Sequence, residues 1–234
     1  MKLGIKFYPD KFELIDKYKS FIDFAELFIK PDTDLNLIKN WGIPLTIHAA
    51  HENFGFNAGD PKKVKINKKI LDLAKKVADK ISSPWIIVHP GYFVEKNSDQ
   101  VALEFFKNNF DQRFLIENCI LYDNIGGEKK KCLFTIPSEM KVFLDKISTK
   151  MVLDFEHAAC SANLLGEDPS IFFQQFLKLE PRCFHISGID KDAKIDTHKH
   201  LFEVENDWVF LKNIPSDSWV TLETGEPRED NMED

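Results

Sequence analysis

Cysteine is scarce in this chain. Cys119, Cys132, Cys160 and Cys183 are the only four among 234 residues, and no two form a CxxC pair. That excludes a disulfide framework and predicts thiols in a reducing compartment, with cytoplasmic location as the default. Arginine is scarcer still, limited to Arg113, Arg182 and Arg228, and the formal net charge is -7. This balance opposes a non-specific nucleic-acid binder with one continuous basic face, while leaving room for a local basic patch. No run approaches the roughly 18 apolar residues of a membrane span, and Met1-Lys2-Leu3-Gly4 lacks the apolar region of a signal peptide. Glycine- and serine-rich linkers, internal repeats and low-complexity blocks are also missing, so one domain is expected.

The residues that are present have the makeup of a folded globular protein, 43% hydrophobic and 29% charged. Short β-rich runs alternate with segments of helical period. The runs are Leu3 to Phe7, Phe21 to Ile29, Leu45 to His48, Trp85 to His89, Phe114 to Glu117, Lys150 to Asp154, Cys183 to Ile186 and Trp219 to Glu223. Helices are predicted near 11–18, 34–40, 67–81, 99–108, 138–147 and 169–179, with Ser138 and Asp168 as caps and Pro169 in a first turn. Eight strand candidates separated by helices predict an α/β fold, a (β/α)8 TIM barrel over residues 1–225. Residues 226–234 carry five acids and one base and read as an acidic C-terminal tail. The barrel is therefore expected to lack a full eighth outer helix.

Imidazoles and carboxylates fall where these runs end. His48, His89, Glu117, Asp154, His185 and Glu223 close six successive runs, and in a TIM barrel the C-terminal strand ends share one face. Each follows apolar residues, and a buried polar group requires a partner or an ion. His157 lies three beyond Asp154, and Asp196 and His198 are two apart, the spacing that points both side chains one way in extended chain. Mixed histidine and carboxylate ligation suits zinc, with manganese as the alternative, and the lack of cysteine in the set leaves room for water. His51, His200 and Glu26 are candidate substrate-side or supporting groups. Gly91 is expected to allow a tight turn, and Cys119 to be inert.

The runs His48-Ala49-Ala50, Val88-His89-Pro90-Gly91, Ile116-Glu117-Asn118, Asp154-Phe155-Glu156-His157, Phe184-His185-Ile186-Ser187, Asp196-Thr197-His198 and Leu222-Glu223-Thr224 resemble, in order, the xylose isomerase-like TIM-barrel superfamily. Within it they look most like endonuclease IV, the AP endonuclease family 2. The resemblance implies three zinc ions: one on His48, His89 and Glu117, a second on Glu117, Asp154, His185 and Glu223, and a third on His157, Asp196 and His198. It also implies metal-dependent phosphodiester hydrolysis of DNA at abasic sites, with Glu117, Asp154 and Glu223 as the catalytic carboxylates. The sequence departs from that pattern in its short Tyr8-Pro9-Asp10 loop and in His51, where relatives commonly carry tyrosine. Lys62, Lys63, Lys65, Lys68 and Lys69 are either a phosphate-facing stretch or a solvated helix. Two alternatives stand beside hydrolysis. One is a divalent-metal-dependent sugar isomerase or epimerase using Glu117, Asp154, His185 and Glu223; the other is a non-catalytic metal-binding protein.

Overall fold

In a computed structural model, which describes residues 1–205 and 208–224, the chain builds the barrel one strand at a time. β1 (Lys2–Phe7) is followed by α1 (Phe12–Tyr18), and β2 (Phe24–Ile29) by an irregular loop. β3 (Leu45–Ala49) precedes α2 (Val64–Ile81), and β4 (Ile86–Val88) precedes α3 (Ser98–Asn108). After β5 (Phe114–Glu117) come an antiparallel hairpin, β6 (Tyr122–Ile125) and β7 (Glu128–Lys131), and then α4 (Pro137–Ile147). β8 (Lys150–Asp154) runs straight into α5 (Phe155–Leu165) and then α6 (Pro169–Leu177). β9 (Cys183–Ile186) leads through a long loop to β10 (Trp219–Leu222), which pairs in parallel with β1. The closed order is β1-β10-β9-β8-β5-β4-β3-β2, the eight-stranded parallel barrel expected from the sequence.

Alternation along the strands divides two environments. Ile5, Leu27, Ile47, Ile86, Ile116, Leu153 and Phe184 belong to the large core that the helices cover. The helix α2 contributes Ile70, Leu71, Ala74 and Val77 to that burial and keeps its lysines on the opposite face. The alternate positions Ile87, Leu115, Val152 and Cys183 form a separate apolar cluster with Trp85 and Trp219 against it. This cluster is the floor of the barrel interior. Phe24 packs on Trp219 at 4.7 Å there, and a Cβ at Gly4 would stand 2.5 Å from the Phe24 ring. Glycine is therefore required at position 4 for the floor to close. One step further along the same strands, the inward positions become polar.

Several local expectations change. Residues 34–40 form turns and no helix. Ser138 does not cap α4; Ile136 precedes the helix and Pro137 opens it. Asp168 does cap α6, accepting from the Ser170 N–H at 2.7 Å. The helix α5 and the hairpin had no expectation at all. The acidic tail and the segment that would hold an eighth outer helix lie outside the described residues. Between β9 and β10 the described residues form only 3-10 turns, at Leu201–Glu203 and Val209–Asn213, so helical cover is already thin on that side. All four cysteines are buried thiols. Among the described residues, no helix is long and apolar enough to cross a membrane.

Candidate metal centre

The strand ends converge on Glu117. Its Oε2 lies 3.1 Å from His48 Nε2 and 3.3 Å from His89 Nε2. Its Oε1 lies 3.4 Å from His185 Nδ1 and 3.5 Å from His157 Nδ1. One carboxylate thus turns an oxygen toward each of two sets of imidazoles. Ligand atoms from His48, His89 and Glu117 fall within 4.8 Å of one another, as do those of Glu117, Asp154, His185 and Glu223, and those of His157, Asp196 and His198. A cavity of about 360 Å³ opens onto His89, Glu117, His157, Asp196, His198 and Glu223, with Tyr8, Phe28 and Phe54 on its wall.

The third group is built differently from the other two. Asp154 caps α5 by accepting the His157 N–H at 2.7 Å, which fixes His157 in the first helical turn. Asp196 and His198 sit in the loop after β9, and His198 has φ of +48°. Their convergence, with His198 Nε2 3.3 Å from Asp196 Oδ2, therefore comes from a left-handed residue and not from the extended chain that the spacing suggested. Glu156 holds this loop. It accepts from the Thr197 N–H at 2.8 Å, the Thr197 hydroxyl at 2.9 Å and the His198 N–H at 3.1 Å, and from the Ser187 hydroxyl.

Burial and opposite charges compete at each of these groups. Burial opposes ionisation of Glu117, yet His185 and His89 outweigh it and hold the carboxyl well below the ordinary range. For Glu223, burial is outweighed by Lys6, whose Nζ is 2.6 Å away, and by His185. Burial also opposes charge on His89, His157 and His185, but nearby carboxylates raise all three: chiefly Glu52, Asp154 and Glu26 respectively. His48 differs, pushed down to about 4 by burial and then by the Lys6 charge. Burial raises Asp154, and burial followed by Asp196 raises Glu156 to about 7.

These residues fit divalent ions. Buried His185 Nδ1 makes no hydrogen bond although it lies 2.8 Å from Glu223 Oε2, and buried Asp196 Oδ1 makes none either. In His48, His89 and His185 one nitrogen is engaged away from the acids of the three groups, while His157 Nδ1 meets the Asn118 carbonyl at 2.9 Å as well as Glu117 Oε1 at 3.5 Å. The partners in the first three are the Ala49 carbonyl for His48, Glu52 for His89 and Glu26 for His185. The second nitrogen of each faces those acids, the orientation that metal-ligating imidazoles adopt.

Of the supporting candidates, Glu26 is fully buried beneath His185, with Oε2 at 3.0 Å from Nε2. His51 stacks on His89 at the cavity wall. His200 lies elsewhere, capping the 3-10 turn Leu201–Glu203 and stacking on Phe202. Sequence reasoning missed Lys6, Glu52 and Glu156. Lys6 left a signal, a charge inside an otherwise apolar run. Glu52 and Glu156 left none, because each is an acid in a polar stretch whose burial depends on what folds over it.

The fold that carries this site is an eight-stranded parallel TIM barrel, a fold shared with solved epimerase-like, endonuclease IV and putative xylose isomerase structures. No protein-family model matches the sequence. An uncharacterized protein of Methanocaldococcus jannaschii is 23% identical over 224 residues, covering 85% of this chain and 81% of that protein. Among solved structures, a D-tagatose 3-epimerase-like protein aligns with TM-score 0.67 at 15% identity, covering 100% of this chain and 95% of the other. Endonuclease IV from Thermus thermophilus aligns with TM-score 0.67 at 18% identity, covering 100% and 97%. A further Thermus thermophilus protein, soaked with zinc chloride, aligns with TM-score 0.70 at 16% identity, covering 100% and 96%.

Proposed function

We propose that this chain is a metal-dependent phosphodiester hydrolase of the endonuclease IV type, acting on DNA at abasic sites through three zinc ions. The observation that carries the reading is the third group. His157, Asp196 and His198 meet beside the strand-end ligands, and a one-ion sugar isomerase has no use for them. His48, His89 and Glu117 would hold one ion, Asp154, His185 and Glu223 together with Glu117 a second, and the third group the last. Bound ions supply Lewis acidity toward a phosphoryl oxygen and make water a competent nucleophile near neutral pH.

The chain's own side chains do the remaining work. Glu117 links two of the sites and fixes their separation. Lys6 holds Glu223 at 2.6 Å and keeps it ionised. Tyr8, Phe28 and Phe54 wall the cavity and limit water beside the reacting group. No side-chain nucleophile is needed, and Cys119, whose thiol burial pushes up to about 11, does not serve as one.

A second reading is favoured by the size of the cavity, about 360 Å³, which suits a small molecule. There one divalent ion on Glu117, Asp154, His185 and Glu223 would serve a sugar isomerase or epimerase, with Glu117 and Glu223 exchanging a proton between adjacent carbons.

Elemental analysis of protein purified without added metal, combined with an abasic-duplex cleavage assay, separates the readings. Three zinc ions and strand cleavage are expected, and His198→Ala should lose one ion and most of the cleavage. A single tightly held ion, with solvent deuterium entering a ketose, would establish the isomerase instead.

A further inference from the structure

His89 lies just past the end of β4, so strand pairing does not hold its ring. What holds it is a buried acid that none of the three ligand groups contains. Glu52 occupies the 3-10 turn Glu52–Phe54, which Gly55 closes at φ of +93°. Its Oε2 is 3.0 Å from His89 Nδ1 and 3.6 Å from His51 Nδ1. The opposite nitrogen, His89 Nε2, is thereby turned toward Glu117 Oε2 at 3.3 Å. The His51 ring lies over His89 at 5.0 Å and 24°. Nδ1 also meets the Cys119 thiol, with Sγ at 3.6 Å, a weak partner by comparison.

We propose that Glu52 is the positioning residue of the His89 ligand: it accepts the Nδ1–H, commits Nε2 to the ion shared with His48 and Glu117, and makes that nitrogen a stronger donor. This rests on the zinc reading above. The physical ground is the difference between acceptors. His48 and His157 are backed by backbone carbonyls, whereas His89 is backed by an ionised carboxylate. A charge-assisted hydrogen bond is roughly twice as strong as a neutral one, and it transfers more electron density to the far nitrogen. The ion held by His48, His89 and Glu117 should therefore depend on Glu52 in particular. His51, Glu52 and His89 also have the residue types of an ion site. An ion there would compete with the Glu52 hydrogen bond for His89 Nδ1 while Nε2 served the neighbouring ion.

The test is zinc titration of the full chain against a competing chelator, comparing wild type with Glu52→Gln. Glutamine keeps the shape and an acceptor oxygen but removes the charge. Expected is a loss of about 10- to 100-fold in affinity for one ion of the three, with the other two unchanged. Glu52→Asp should restore part of the loss if it reaches Nδ1. Cobalt substitution supplies a readout that packing alone would not move: the absorption bands of one site should shift in Glu52→Gln while circular dichroism stays that of wild type. Equal zinc affinities and identical cobalt spectra in the two proteins would overturn the proposal and leave the zinc centre standing. A fourth ion lost with Glu52 would also overturn it, because Glu52 would then be a ligand. A wild-type chain that binds no zinc would overturn the centre and this proposal together.

Discussion

Glu117, Asp154, His185 and Glu223 differ from His157, Asp196 and His198 in how the fold holds them. The first four are all buried to 5% exposure or less, at or beside the ends of parallel strands whose register places them. The other three come from a helix turn and an irregular loop, and Asp196 and His198 remain partly exposed. What strand pairing does for the first group, side-chain hydrogen bonds do for the second: Glu156 gathers Thr197 and His198 through the hydrogen bonds they donate to it. Ligands at strand ends are therefore inherited from the architecture, while the loop ligands depend on side-chain hydrogen bonds, those to Glu156 together with the Cys160 and Asn163 contacts to loop carbonyls.

That contrast can be broken most forcefully at Glu117, which belongs to both of the proposed strand-end ion sites. Glu117→Gln should remove two of three zinc ions and lower activity by at least about 100-fold, several kcal/mol of transition-state stabilisation. Zinc content and turnover measure it, and retention of all three ions would refute the bridging arrangement.

Glu156→Ala should act on the loop group alone. One zinc ion is lost, and stability falls by no more than about 2 kcal/mol, because the freed loop donors can reach water. Denaturant unfolding beside elemental analysis tests this; loss of all three ions would mean that the groups are not separable.

pH sharpens the comparison further. In the ion-free chain, His89, His157 and His185 are raised above the unfolded value near 6.5. Their stabilising contribution is thus fully present below that value and is lost as pH rises through the folded values. Zinc binds only the neutral rings, so its affinity should rise over the same range. The gap in Tm between zinc-loaded and stripped protein should widen as pH rises above about 6.5. A constant gap would show that these histidines do not bind the ions.

The smallest effect is expected at Lys68, on the exposed face of α2 and paired with Asp72 at 2.5 Å. Lys68→Ala should change stability by less than about 0.5 kcal/mol. A tenfold weakening of binding to an abasic duplex would instead give the lysine stretch a role with phosphate.

The eight strands were legible because each is a short apolar run ending in a polar residue, and barrel closure makes those ends neighbours. Residues 34–40 misled because an apolar pattern of helical period lies where the connection from β2 to β3 stays in turns. The helix α5 was hidden behind the Asp154-Phe155-Glu156-His157 motif, where charged residues mask helical periodicity. His200 belonged to the same histidine-rich stretch as His198, yet its backbone turns it to cap Leu201–Glu203. Two residues of spacing could not reveal that.

Alternation of side chains and the positions of strand ends are local properties, so the sequence by itself determined a parallel barrel and the convergence of His48, His89, Glu117, Asp154, His185 and Glu223 on one face. Only the tertiary structure decided that Glu52, Glu26 and Lys6 are buried around them and that Glu156 folds the Asp196 loop inward. Those placements depend on which distant segments cover each charge, and a buried charge is tolerated only where such partners have already been brought within hydrogen-bonding distance.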